Sequence, residues 1–179
     1  ASLPPAPTPD DLAPVSDIGL KTFDEINASM SAMTDVPTTN AAVADTYATV
    51  RQQLPSSETI EGFQSSQQMG ITQMAIQYCN ELVSDTALRS GYFPGFNFGA
   101  AAQVAFDSTG RSQIIDPLLN RMVGQNLPSQ PDTVAVRTEL NALMDTLTQC
   151  GAGCASDRTE TVVKASCAAV LGSAVTLVQ

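Results

Sequence analysis

With 179 residues, eight basic against eighteen acidic side chains and a formal charge of −10, the chain is sized for one domain, and its charge argues against nucleic acid or an anionic membrane as partner. It contains no histidine, which removes the commonest general base near neutral pH, the commonest zinc and haem-iron ligand, and every Ser-His or Cys-His nucleophile. Hydrophobic content is 43% and aromatic content 5% without Trp, so the core is expected from Ala, Val, Leu, Ile and Met, a set that favours packed helices over sheet.

Residues 1–16 hold five of the eleven prolines. Proline lacks an amide hydrogen and fixes φ, so this segment is expected as an extended, polyproline-like arm lying across the body or against a neighbouring subunit. The remainder, 17–179, reads as a single α-helical domain. Thr22-Phe23-Asp24-Glu25 fits a capping box, and Phe23, Ile26, Met30 and Met33 continue at helical spacing until Val36-Pro37. A second helix follows Asn40 as N-cap, with Val43, Tyr47, Val50 and Leu54 on one stripe and Pro55 at its end. Ser56-Ser57-Glu58 opens a short helical turn through Phe63.

Gln67 to about Asp85 is the longest helical pattern, with Ile71, Met74, Ala75, Tyr78, Cys79 and Leu82 in a broad stripe suited to a helix covered on several sides. Gly70 within it costs about 1 kcal/mol relative to Ala and marks the close approach of another helix. Asp85 to Ser90 reads as a turn, and Gly91 to Gly99, GYFPGFNFG, as non-helical. Ala100 to Phe106 is a short helical segment. Gly110 to Val123 is a further helix, with Pro117 near its start or kinking it, Ile114, Ile115, Leu118, Leu119 and Met122 inward, and Gly124 as C-cap.

After the polar loop 125–131, Asp132 caps a helix to about Gln149 with Val136, Leu140, Leu143, Met144 and Leu147 inward. Cys150-Gly-Ala-Gly-Cys154 is a tight loop. The last helix starts near Asp157, carries Val163, Cys167, Val170, Leu171 and Ala174 inward, and places Ser166 where its hydroxyl can bond the preceding turn. Nothing alternates with period two. The reading is all-α: a disulfide-stapled bundle of about five to seven helices with an extended Pro-rich N-terminal arm.

Four cysteines, an even number, fit two disulfides in an oxidising compartment; the alternative is four buried free thiols in a cytosolic protein. Three connectivities are open. The preferred one pairs Cys150 with Cys154, whose glycine-rich spacer can bend, and Cys79 with Cys167. A CxxxC with two distant cysteines is a poor zinc spacing, and no redox CxxC is present. The opening on Ala1 with no leader pattern is what a mature secreted chain shows, and equally what a chain cut from a longer one shows; the acidic, Lys-poor composition leans toward secretion.

The loop 91–99 concentrates four of the nine aromatics. Tyr92, Phe93, Phe96 and Phe98 are candidate ligand or partner contacts that could stack on sugar rings, or else plugs for the end of the bundle. Carboxylate pairs at Glu58 and Glu61 and at Asp24 and Glu25 sit where acidic residues serve helix starts, so no catalytic pair is assigned and no enzyme is expected. No calcium loop, dinucleotide, P-loop or nucleophile-elbow motif occurs, and no cofactor or metal site is expected. The sequon Asn27-Ala28-Ser29 falls inside the first helix, and sequons arise by chance. The apolar run from Thr161 to Val178 is too broken by polar residues for a membrane span.

The phrases FDEINASMSAMTDVPTTN, GITQMAIQYCNELV and RTETVVKASCAAVLGSAVTLVQ resemble an uncharacterised helical region of large secreted bacterial surface proteins that also carry LamG modules. The resemblance implies a location outside the cell or in the periplasm. It carries over no sugar- or calcium-binding residue, because the LamG β-sandwich itself is not represented. The leading expectation is a secreted structural or adhesive subunit of an extracellular assembly, homo-oligomeric or joined to other surface subunits, with fibres linked through the arm as one form. The second is a glycan- or small-ligand-binding module using residues 91–99.

Overall fold

A computed structural model describes residues 21–54, 65–123 and 131–173. The predicted arm at 1–16, the helical turn at 56–63 with its Glu58 and Glu61, the Gly124 cap, most of the 125–131 loop and Ala174 lie outside these residues. The described chain is all-α, with eight α-helices, one 3₁₀ turn and no strand.

The helices are α1 (Phe23–Thr34), α2 (Ala41–Gln53), α3 (Ser65–Ser84), α4 (Thr86–Tyr92), α5 (Ala102–Ala105), α6 (Ser108–Met122), α7 (Thr133–Leu147) and α8 (Arg158–Leu171), with Gly151–Gly153 as the 3₁₀ turn. The starts of α1, α2 and α7 follow the predicted caps. The Thr22 hydroxyl accepts from the Glu25 amide while the Glu25 carboxylate accepts from the Thr22 amide. Asn40 and Asp132 accept from the first-turn amides of α2 and α7. Helix α1 ends at Thr34, two residues before Val36, with Asp35 as its C-cap in the left-handed conformation at φ 60°.

Two differences from the sequence reading concern α4 and α6. The stretch expected as a turn is a helix through Tyr92, because Asp85 accepts from the amides of Ala87 and Leu88 and so caps it. Helix α6 begins at Ser108 under an Asp107 cap, which places Pro117 well inside it and deprives the Gln113 carbonyl of its usual amide partner.

Two helices organise the rest. Helix α3 packs against α1, α2 and α4, while α8 gathers α5, α6 and α7, and the pairing of α3 with α8 is the most extensive among the described helices. The disulfide Cys79–Cys167 joins them, with both sulfurs fully buried, and thus bonds the N-terminal half to the C-terminal half. The second disulfide is Cys150–Cys154. Both match the preferred pairing. The predicted stripe of α3 is buried without exception, as are the five inward residues of α6. On α8, Val163, Cys167, Val170 and Leu171 are buried, and the Ser166 hydroxyl donates to the Val162 carbonyl at 2.8 Å. Helix α7 sits more peripherally, fully burying only Leu140 and Met144.

The aliphatic core expected from composition needs correcting. Phe23, Tyr78, Tyr92, Phe93, Phe96 and Phe106 are all buried, and the rings of Tyr47 and Phe98 pack on the core as partly buried groups. The aromatics among the described residues are spent inside or against the core.

Gly70 does mark a close approach. A Cβ there would stand 2.6 Å from Val50 Cγ1 of α2. Gly70→Ala is expected to lose about 1–2 kcal/mol, because overpacking outweighs the gain in helix propensity. In a Val50→Ala background the same change should be neutral or stabilising, which a double-mutant cycle by urea unfolding reads as a coupling energy.

Candidate functional site

The segment following α4 was the strongest candidate by composition. Phe93-Pro94-Gly95-Phe96 is a tight turn: the Phe96 amide donates to the Phe93 carbonyl at 3.3 Å, and Gly95 takes φ 82° behind a proline, the residue order of a type II turn. Asn97 then accepts from the Gly99 amide at 3.0 Å, and the Thr159 hydroxyl of α8 donates to the Ala100 carbonyl at 2.7 Å, which ties the segment's end to the bundle.

These turns direct the rings inward. Ring centroids lie 4.8 Å apart for Tyr92 and Phe93, 4.9 Å for Phe96 and Phe98, and 5.4 Å for Phe96 and Phe106, in tilted or edge-to-face arrangements. Tyr92 is 3% exposed, Phe93 1% and Phe96 9%; only Phe98 is partly open. That ring is capped by Arg89, whose guanidinium carbon stands 4.5 Å from its centroid while pairing with Glu160 of α8 at 2.8 Å. Arg121 covers Tyr92 in the same way and pairs with Asp35. The cluster is part of the hydrophobic core. Tyr92, Phe93 and Phe96 are buried, so of the four candidate ligand or partner contacts in 91–99 only Phe98 keeps a partly open ring.

Several of the described carboxylates are engaged in the fold. Asp24 accepts from Tyr47 and Arg51 of α2, and Glu25 closes the capping box. Arg111 of α6, whose side chain is 21% exposed, reaches the Phe106 carbonyl, both oxygens of Asn141 and the Asp145 carboxylate, and is the main polar tie of α7 to the bundle. The sequon residue Asn27 is half-buried and its side-chain oxygen accepts from the Tyr78 hydroxyl at 2.6 Å, so it is spent on packing α1 against α3. Among the described residues no group of three or more Cys, Asp or Glu is arranged to hold a metal ion, and no described helix is long and apolar enough to cross a membrane.

Sequence reasoning missed the arginines, which looked merely scattered. Their partners are remote in the chain, 86 residues for Arg121 and Asp35. No local signal announces such pairs.

Two buried phenols give the protein a pH dependence. Burial pushes the Tyr78 phenol up to about 12, against a weaker lowering by Ser31. Burial also raises Tyr92, with Arg121 opposing and Asp35 adding to the shift. Both folded-state values lie above the unfolded value near 10, so above that pH the unfolded chain releases protons that the folded chain retains. Stability is expected to hold below pH 10 and fall as pH rises through 12, with phenolate absorbance appearing together with the loss of helical signal. Tyr78→Phe should cost about 1 kcal/mol at neutral pH by stranding Asn27, and should flatten the alkaline decline.

One surface stands apart. Along the outer face of α3, Gln68, Met69, Thr72, Gln73 and Ile76 are exposed and uncharged, with Met69 at 64% and Ile76 at 54%. The two apolar residues are spaced i and i+7 and share a face. Comparison of the chain with protein-family models, with curated proteins and with solved structures finds no significant match.

Proposed function

We propose that this chain is a secreted structural or adhesive subunit of a larger extracellular or periplasmic assembly, built from copies of itself and linked through the Pro-rich segment 1–16. The observation that carries this reading is the pairing, on one helix, of a covalently locked interior with an uncharged outer face. Helix α3 is bonded to α8 through Cys79–Cys167, and disulfides of this kind persist in oxidising compartments. The same helix turns Met69, Thr72 and Ile76 outward in a chain of net charge −10. Contact between copies at that face avoids the like-charge repulsion that the rest of the surface would impose. The resemblance to secreted surface proteins agrees in location.

Deletion of residues 1–16 tests the linker. Light scattering should show loss of the assembled species while the circular dichroism of the helical body is retained. Assembly unchanged by the deletion would refute the role of the arm. Met69→Lys with Ile76→Lys tests the α3 face in the same assay: weaker association is expected, and association equal to that of the parent would remove the face from the proposal.

A further inference from the structure

The two disulfides differ sharply in access. Cys79 and Cys167 are both fully buried in the contact between α3 and α8. Cys150 is exposed and Cys154 half-buried, the latter packed against the core. Around them Gln149, Ala152, Gly153, Ala155, Ser156 and Asp157 are exposed, and a Cβ built on Gly151 or Gly153 meets nothing within 4 Å. A thiol can therefore approach one sulfur of the pair without any opening of the bundle. Attack needs an unobstructed line to one sulfur and a leaving sulfur on the far side. The loop favours such an approach at Cys150, which is exposed, with Cys154 packed against the core as the leaving side.

We propose that Cys150–Cys154 is a native-state thiol–disulfide exchange site for dithiols. A thiolate of the dithiol attacks Cys150 Sγ, the bond to Cys154 breaks, and Cys154 leaves as a thiolate that takes a proton from solvent. The dithiol's second thiolate then displaces Cys150 from the mixed disulfide. The dithiol ends oxidised to its own disulfide, and the two electrons reside on Cys150 and Cys154 as thiols. A monothiol stalls at the first step, because Cys154 sits only four positions away and expels it by re-forming the ring. Once opened, the Cys150 thiol has an acceptor in place, the Leu147 carbonyl at 3.8 Å in the last turn of α7. The connection between α7 and α8 is thus open to chemical modification while the bond holding the two halves together is not.

The test uses the intact oxidised chain at neutral pH, exposed to dithiothreitol or to reduced glutathione at equal thiol concentration, quenched with N-ethylmaleimide and mapped by peptide mass. With dithiothreitol, label is expected on Cys150 and Cys154 at least about 100-fold faster than on Cys79 and Cys167, since a fully buried bond exchanges only from the unfolded fraction, ~10⁻³ or less. Helical circular dichroism should stay unchanged through the first phase. Glutathione should leave Cys150 and Cys154 largely unlabelled. Release of all four cysteines together, or no release before helicity is lost, would overturn the site. Equal labelling by both reductants would overturn its assignment to dithiols. A Cys150→Ser/Cys154→Ser variant should retain the fold and show no fast phase; a fast phase persisting in it would also contradict the proposal.

Discussion

Gly110→Ala is expected to lower stability by about 3 kcal/mol or more, at or above the upper end of ordinary overpacking. Helix α5 ends at Ala105 and α6 begins at Ser108, so two residues connect them and the Ala105 carbonyl lies against Gly110 in the first turn of α6. A Cβ on Gly110 would stand 1.8 Å from that oxygen and 3.0 Å from its carbon. Both partners are backbone, so no rotamer change relieves the overlap. The turn must open, and opening it disturbs the Asp107 cap, which accepts from the Gly110 amide at 2.8 Å, and the buried Phe106 ring beside it. Thermal unfolding should fall by roughly 6–12 °C for a chain of this size. Gly91→Ala is the control: a Cβ on this α4 residue meets nothing within 4 Å, and gains in helix propensity predict up to about 1 kcal/mol of added stability.

Removal of the central cross-link should be at least as costly. Cys79→Ala with Cys167→Ala releases a bond spanning 88 positions, for which the chain-entropy relation gives about 4–5 kcal/mol, and empties a buried site between the two organising helices. Cys150→Ala with Cys154→Ala releases a loop of only four positions, for which the same relation gives about 2 kcal/mol. Urea unfolding of the two double variants should rank them in that order, with the Cys79 and Cys167 pair nearer to complete loss of the folded state. Equal midpoints would mean that α3 and α8 cohere through packing alone.

The helices were legible where periodicity and caps coincide. In α1, α3 and α6 the apolar spacing selects the buried face, and the capping box at Thr22 and Glu25 selects the start, because unsatisfied amides demand those side chains there. The disulfide pairing was legible for a similar local reason at Cys150 and Cys154, and by remainder at Cys79 and Cys167. Helix α4 was not, since Thr86-Ala-Leu-Arg-Ser-Gly-Tyr92 has too few apolar positions to show a period, and its stability comes from the Asp85 cap and the packing of Tyr92.

The aromatic segment marks the sharper limit. Composition identified Tyr92, Phe93, Phe96 and Phe98 as a unit but carries no information about which way rings point. Direction depends on Gly95 at positive φ, on the tie of Ala100 to Thr159, and on Arg89 and Arg121 closing over the cluster from other parts of the chain. None of these contacts has a local sequence signature. The uncharged face of α3 could have been noticed, because Met69 and Ile76 fall opposite the buried stripe, yet isolated exposed apolar residues are common and do not mark a surface by themselves.

The most direct test of a self-assembling subunit is the native mass of the full chain with and without reductant, by sedimentation equilibrium or light scattering. The reading predicts multiples of 18.7 kDa that persist when Cys150–Cys154 is opened, because both disulfides lie within one chain. A single species of 18.7 kDa at every concentration would contradict it.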